Sequence, residues 1–198
     1  EWQALITEVD KLIREGHYER ALETATKARE LAEKNAGPDH LDVATSLNGL
    51  ALSYGALGQS EAAEPLYQRA LAIREKTLGP DHPDVATSLN NLAECYRAQA
   101  QFAEAEPLFE RALVIQEKAF GPEYSEVATI LNNIALLNVD QGRYAEAEPL
   151  FKRSLAIWEK TFGTEHPNVA LCLSNIGLLR TEQGQYAEAE PLYRRSLA

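Results

Sequence analysis

Apolar residues Val43, Leu47, Leu50, Ala51 and Tyr54 are spaced by four, three, one and three, which places them on one face of an α-helix. After Gly58 a second run through Ala63, Leu66, Tyr67, Ala70, Leu71 and Ile73 keeps the helical period and stops at Gly79 and Pro80. That pair ends helices: glycine lets the backbone leave the helical region and proline cannot continue it. Gly121 and Pro122 repeat the signal. New helices are predicted to start near Pro83 and Pro167, because first-turn amides have no intrahelical acceptor for proline to forfeit. The pattern is a helical hairpin.

The hairpin recurs. Prolines 65, 107, 149 and 191 keep a constant 42-residue interval, and the string AEAEPL stands at 103–108, 145–150 and 187–192, with EAAEPL at 61–66. A degenerate copy precedes them, since Gly16 and Gly37 keep the same interval before Gly58 and Gly79. One repeat domain over 1–198 is therefore expected, with a degenerate repeat 1 at 1–37, repeats at 38–79, 80–121 and 122–163, and a truncated repeat 5 at 164–198. The sequence contains no Met, so a natural N-terminus is expected to have been cut away, and it stops in mid-helix relative to the earlier copies, so a longer parent protein or a disordered tail is expected.

Small residues pair across the two helices of each copy: Ala51 with Ala63, Ala93 with Ala105, Ala135 with Ala147, Gly177 with Ala189. One ring per copy follows at Tyr67, Phe109, Phe151 and Tyr193, and burying each is expected to contribute about 1.5–3 kcal/mol. A lone hairpin cannot bury both faces, so stability must come from stacking. The expected fold is all-α, a right-handed α-solenoid of antiparallel hairpins. Pro65 and its copies fall inside the second helices, where a mild kink is expected.

Leu47, Leu50, Ala51, Tyr54, Gly58, Ala63, Tyr67 and Ala70 resemble the tetratricopeptide repeat position by position. The 42-residue length is similar to the kinesin light chain type of that repeat, as are VATSLNNLA at 85–93, AEAEPLFERAL at 103–113 and EKTLGPDHPDVA at 75–86. Asn138 and Arg180 depart from the column of Tyr54 and Tyr96, and no heptad segment of the kind that joins kinesin light chains to a motor is present. The resemblance implies that the first helix of each hairpin lines a concave groove for a partner peptide. One column opposite the apolar face of that helix reads Asn48, Asn90, Asn132, Ser174, and beside it runs Gly49, Asn91, Asn133, Asn175. Asparagine both donates and accepts, so a ladder of them can hold a peptide backbone of any sequence, and the resemblance implies this clamp at Asn90. The same residue type also ties hairpins together by satisfying buried groups, and both roles remain open. Arg14 and Arg97 are further groove candidates, mixed with Asp10, Glu94, Asp140, Glu182 and apolar Leu52, Leu136, Val139 and Leu178.

Charge narrows the partner. Lys and Arg number 19 against 30 Asp and Glu, a formal net charge of -11 that repels phosphate backbones and anionic lipid. Nucleic acid and membranes are not expected partners. A protein or peptide partner is expected, and the resemblance implies an aromatic-acidic segment, although the groove candidates suit a segment of mixed charge with apolar anchors. Glu148 with Lys152 reads as a solvated helix pair.

Chemistry is not indicated. His40, His82 and His166 recur one or two repeats apart, too far to share a metal, and read as linker residues. Cys95 and Cys172 lie on first helices separated by a whole hairpin and read as small buried hydrophobes. No phosphate loop, HExxH, GxSxG or CxxC occurs, so neither an enzyme nor a cofactor is expected. The expected function is a cytoplasmic, monomeric peptide-binding adaptor. The alternatives are a self-associating scaffold and a regulatory segment of a larger signalling protein.

Overall fold

The computed structural model describes residues 1–197, and among them it contains ten α-helices and no strand. Residue 198, the end of the expected fifth repeat, lies outside the described residues. The helices are α1 (Trp2–Arg14), α2 (Tyr18–Ala36), α3 (Leu41–Ala56), α4 (Ser60–Leu78), α5 (Pro83–Ala98), α6 (Phe102–Phe120), α7 (Ser125–Asp140), α8 (Tyr144–Phe162), α9 (Pro167–Glu182) and α10 (Tyr186–Ser196). They form two compact units, Glu1–Leu108 and Phe109–Ala198. In the first, α1 packs on α2, α2 on α3, α3 on α4 and α4 on α5, and α1 also packs on α3. In the second, α7 packs on α8, α8 on α9 and α9 on α10, and α7 also touches α9. Hairpins stacked on hairpins with first helices side by side are an all-α repeat solenoid.

The small-residue pairs lie where helices meet. Ala51 and Ala63 share a buried cluster with Tyr67, Leu92 and Cys95 in the first unit. Ala135, Ala147, Phe151, Cys172 and Leu173 share one in the second. Phe109 and Phe151 are fully buried and Tyr67 nearly so, but Tyr193 is exposed, contrary to the expectation that every ring of the column is buried. The physical reason is local: Tyr193 lies against Gly177, where an added Cβ would come within 2.8 Å of its ring, but α10 packs on α9, whereas α4 and α8 each lie between two first helices.

Pro65 and Pro149 sit inside α4 and α8, which run on as α-helix through them. Both prolines are on the exposed side, so the carbonyl freed by the missing N–H can turn to water.

The linkers between hairpins are built from four interactions that repeat with the sequence. Gly37, Gly79 and Gly163 take φ of 88°, 89° and 84° with ψ of 166°, 157° and 168°, a region only glycine occupies readily. Arg69 donates to Glu33 at 2.9 Å and to the Pro38 carbonyl at 3.1 Å, and Arg153 does the same to Glu117 at 2.6 Å and Pro122 at 2.9 Å. Lys76 pairs with Asp39 at 2.6 Å, and Lys160 with Glu123. The histidines cap the next helix: Nδ1 of His40, His82 and His166 accepts from the amides of Asp42, Asp84 and Asn168 at 3.1–3.2 Å. Tyr124, at the remaining copy, makes no such cap and stacks on Phe120 at 4.4 Å.

Candidate functional site

The buried residues of each first helix fix which side is left over. On α3, Val43, Leu47, Leu50 and Ala51 point to the core, and Thr45, Gly49, Leu52 and Ala56 recur at four, three and four on another side. The same register gives Gln3, Thr7, Asp10 and Arg14 on α1, and Thr87, Asn91, Glu94 and Ala98 on α5. These stripes form the first-helix face of the first unit. Gly49 lets α1 approach, since a Cβ there would stand 3.2 Å from Val9. Asn91 then reaches across from α5, its Nδ2 donating to Asn48 Oδ1 of α3 at 2.8 Å. Asn90 lies beside it, with its Nδ2 a long 3.4 Å from Asn91 Oδ1. Arg97 turns onto Glu94 at 3.0 Å, so the two charges largely satisfy each other, and Arg14 is exposed in the last turn of α1. Leu52 is the one large apolar residue of these stripes and is 37% exposed.

The second unit repeats the amide bond with other neighbours. Asn175 Nδ2 of α9 donates to Asn132 Oδ1 of α7 at 2.9 Å, and Asn132 Nδ2 lies 3.4 Å from Asn133 Oδ1. Asn132 is only 3% exposed, while Asn133 and Asn175 are half-buried. The stripes here read Thr129, Asn133, Leu136, Asp140 on α7 and Leu171, Asn175, Leu178, Glu182 on α9. Leu171 is 52% exposed and Leu178 39%, with Leu136 half-buried alongside. This face sets Leu136, Leu171 and Leu178 among Thr129, Asn133 and Asn175 and is acidic at the end where both helices stop.

Three expectations need correction or addition. Val139 belongs to the core, 8% exposed within the main cluster of the second unit, because it sits one residue round from the stripe that ends at Asp140. Glu148 is more than half of a solvated pair: Arg180 of α9 donates to it at 2.8 Å and 3.2 Å and also pairs with Glu188 of α10 at 3.4 Å. With Lys152 bonded as well at 2.6 Å, these cations hold the Glu148 carboxyl down from 4.5 to about 2, Arg180 contributing most. Arg180 thus replaces the ring of Tyr54 and Tyr96 by an ionic link joining α8, α9 and α10. Leu171 was missed by periodicity, although its column reads Thr45, Thr87, Thr129 in the other copies and the break was visible.

Other candidate chemistry lies in the core. The Cys172 thiol is pushed up to about 12 by burial and lies 3.5 Å from the Phe151 carbonyl, and burial also raises Cys95. Among the described residues, no cluster of His, Cys, Asp or Glu could hold a metal, and no helix is long and apolar enough to cross a membrane.

Comparison with known proteins supplies a family. The tetratricopeptide repeat profile matches residues 12–76, 53–118 and 126–198. The nearly identical TPR-like repeats of a Podosopora anserina protein assigned as a kinesin light chain are 27% identical in sequence, with 98% of this chain and 92% of that one covered at a TM-score of 0.74. BtubC (BKLC) from P. vanneervenii is 25% identical, covering 95% of this chain and 75% of its own, at a TM-score of 0.75. A Rap protein solved in complex with competence and sporulation factor has a TM-score of 0.86 at 18% identity, over 99% of this chain and 53% of that one, a likeness of fold alone. Comparison with curated proteins gives no match.

Proposed function

Because the chain belongs to the tetratricopeptide repeat family, with repeats of the kinesin light chain type, we propose that it binds extended peptide segments of partner proteins along the first-helix faces of its units. Such a repeat protein is an interaction scaffold, and the finer reading rests on the asparagines. The carrying observation is the pair of amide bonds, Asn91 to Asn48 and Asn175 to Asn132, that cross between neighbouring first helices. Each bond fixes two side-chain planes and leaves Asn48 Nδ2 and Asn175 Oδ1 outside it. Held amides of this kind lose little rotamer freedom on binding, so they can engage a peptide backbone at small entropic expense. Tie and clamp are then one arrangement. Asn90, Asn133, Arg14 and Arg97 border the same faces and contribute secondary contacts.

A monomer in a reducing, cytoplasmic setting suits this role. The aromatic-acidic peptides implied by the kinesin light chain resemblance are the first class to try, although Arg97 is engaged by Glu94 in the first unit and Arg180 by Glu148 in the second. The deciding experiment is a fluorescence anisotropy titration of labelled peptides against the chain and an Asn91→Ala, Asn175→Ala variant. Saturable binding, weakened in a variant whose circular dichroism is unchanged, is the expected result. Equal binding by the variant rejects the asparagine role, and no binding by any peptide class rejects the groove.

A second reading has its own observation: α10 exposes Tyr186 and Tyr193, with Leu197 just beyond it, an apolar surface that could stack on another copy. Sedimentation velocity decides it, since a monomer at every concentration removes self-association.

A further inference from the structure

We propose that the start of α9, the helix that carries Asn175, is a proton-sensitive cap that is lost at low pH, while the starts of α3 and α5 are buffered against the same change. Nδ1 of His40, His82 and His166 accepts from the amide two residues on, at 3.2, 3.1 and 3.2 Å. A neutral ring that accepts at Nδ1 carries its proton on Nε2, so a second proton can enter only at the capping nitrogen itself. Protonation therefore turns the acceptor into a donor that faces an N–H, at the end of the helix where the backbone dipole already repels positive charge. Imidazole makes this change between about pH 8 and 5. The cap holds while the ring is neutral and is lost as pH falls. α7 starts on Tyr124, which makes no side-chain cap, and has no part in the response.

The residue that donates the capped amide decides what protonation does. In α3 it is Asp42, whose Oδ2 stands 3.5 Å from His40 Nδ1, and in α5 it is Asp84, 3.9 Å from His82 Nδ1. There a protonated ring exchanges the amide for a carboxylate, and the helix start stays tied to its linker. Beside His40, Asp39 is held by Lys76 at 2.6 Å. Beside His82, Asp81 precedes it in the chain and Arg74 donates to the Asp84 carbonyl at 3.3 Å, a second cation on the residue that must receive the imidazolium. α9 has Asn168 at this place and no acidic residue in its first turn. The charged groups around its linker are directed elsewhere: Arg195 of α10 donates to Glu159 of α8, Lys160 pairs with Glu123, and Glu165 accepts from the Thr164 hydroxyl at 3.0 Å. The His166 ring lies on Phe162 with centroids 4.3 Å apart, and this face also attracts a cation, so the stack offsets part of the loss. The response is therefore graded, largest at His166, smaller at His82 and smallest at His40.

The experiment follows the thermal midpoint of the whole chain by circular dichroism between pH 8 and pH 5, for the wild type and for His166→Asn, His82→Asn and His40→Asn. Asparagine caps a helix through its side-chain oxygen and does not titrate, so each variant keeps a cap and loses only the response to protons. His166→Asn is expected to lie close to the wild type at pH 8 and to melt a few degrees above it at pH 5. The same difference should grow less for His82→Asn and hardly at all for His40→Asn. Asn168→Asp gives His166 the carboxylate of the other two linkers and should flatten the difference that replacing His166 makes. A difference between wild type and His166→Asn that stays constant from pH 8 to pH 5 overturns the proton-sensitive cap. Growth of equal size for His40→Asn and His166→Asn, or a response unaltered by Asn168→Asp, overturns the buffering role of Asp42 and Asp84.

Discussion

The first-helix faces of the two units are made in the same register and do different things with it. In the first unit the stripes carry Asp10, Arg14 and the Glu94–Arg97 pair, with Leu52 as their one large apolar residue. In the second they carry Leu136, Leu171 and Leu178 and end on Asp140 and Glu182. Beneath them the cores are near copies, Ala51, Ala63 and Tyr67 against Ala135, Ala147 and Phe151. Repetition therefore constrains what faces inward and releases what faces outward. A core position is fixed by the neighbours it must fit, while a face position can change without disturbing the stack.

The largest expected effect tests the equivalence of the cores. Tyr67→Ala and Phe151→Ala should each destabilise by roughly 3–5 kcal/mol, the range for deleting a buried ring from a well-packed site. Urea unfolding followed by circular dichroism measures it. A midpoint that hardly moves for either would mean that the two units are not built alike. Tyr193→Ala, removing an exposed ring from the same column, should cost much less.

The next effect belongs to the second unit alone. Arg180→Ala removes the link from α9 to Glu148 and Glu188, and bonds to charged groups of this kind contribute about 1–2 kcal/mol after allowance for partial exposure. Its pH dependence has a definite sign. The folded state holds Glu148 at about 2, below its ordinary 4.5, so it binds fewer protons there than the unfolded chain does. The contribution is complete above about pH 4.5 and is lost as pH falls towards 2. Stabilities of the wild type and Arg180→Ala should converge over that window, and a constant difference would show that Arg180 acts through packing alone.

Much of this architecture could be read from the sequence because the same physical demand is written several times. One alanine pair is weak evidence, but Ala51 with Ala63, Ala93 with Ala105 and Ala135 with Ala147 sample the same close helix approach independently. Helix ends were equally legible, since glycine at 37, 79 and 163 answers a backbone geometry that other residues resist. The faces were legible only in part. Asparagine columns stood out, but the bonds join different columns of successive repeats, Asn48 to Asn91, a pairing set by the rotation between neighbouring helices. Arg69 was unreadable for a related reason: its acceptors, Glu33 at the end of α2 and Pro38 in the linker after it, lie on other elements than α4, and spacing along one helix says nothing of them. Removing it, or its counterpart Arg153, is expected to cost about 1 kcal/mol in either unit, measured by the shift in thermal midpoint.

The smallest effect sharpens the comparison at a turn. Between the helices of each hairpin Gly16, Gly58, Gly142 and Gly184 take φ of 72–77°, and in their place the α5–α6 turn has Ala100 at φ 56°. The left-handed region brings an alanine Cβ against the following carbonyl and costs roughly 1–2 kcal/mol, a penalty glycine avoids. Glycine in turn loses about 0.5–1 kcal/mol more backbone freedom on folding. Ala100→Gly should therefore stabilise by roughly 0.5–1 kcal/mol, and Gly142→Ala should destabilise by a similar amount. Nothing lies within 4 Å of a Cβ built on Gly142, so backbone strain alone decides that change. A gain at 100 matched by a loss at 142 would place the same strained turn in both hairpins, relieved in one and borne in the other. A loss at both positions would mean that the Ala100 methyl contributes contacts worth more than the strain it causes.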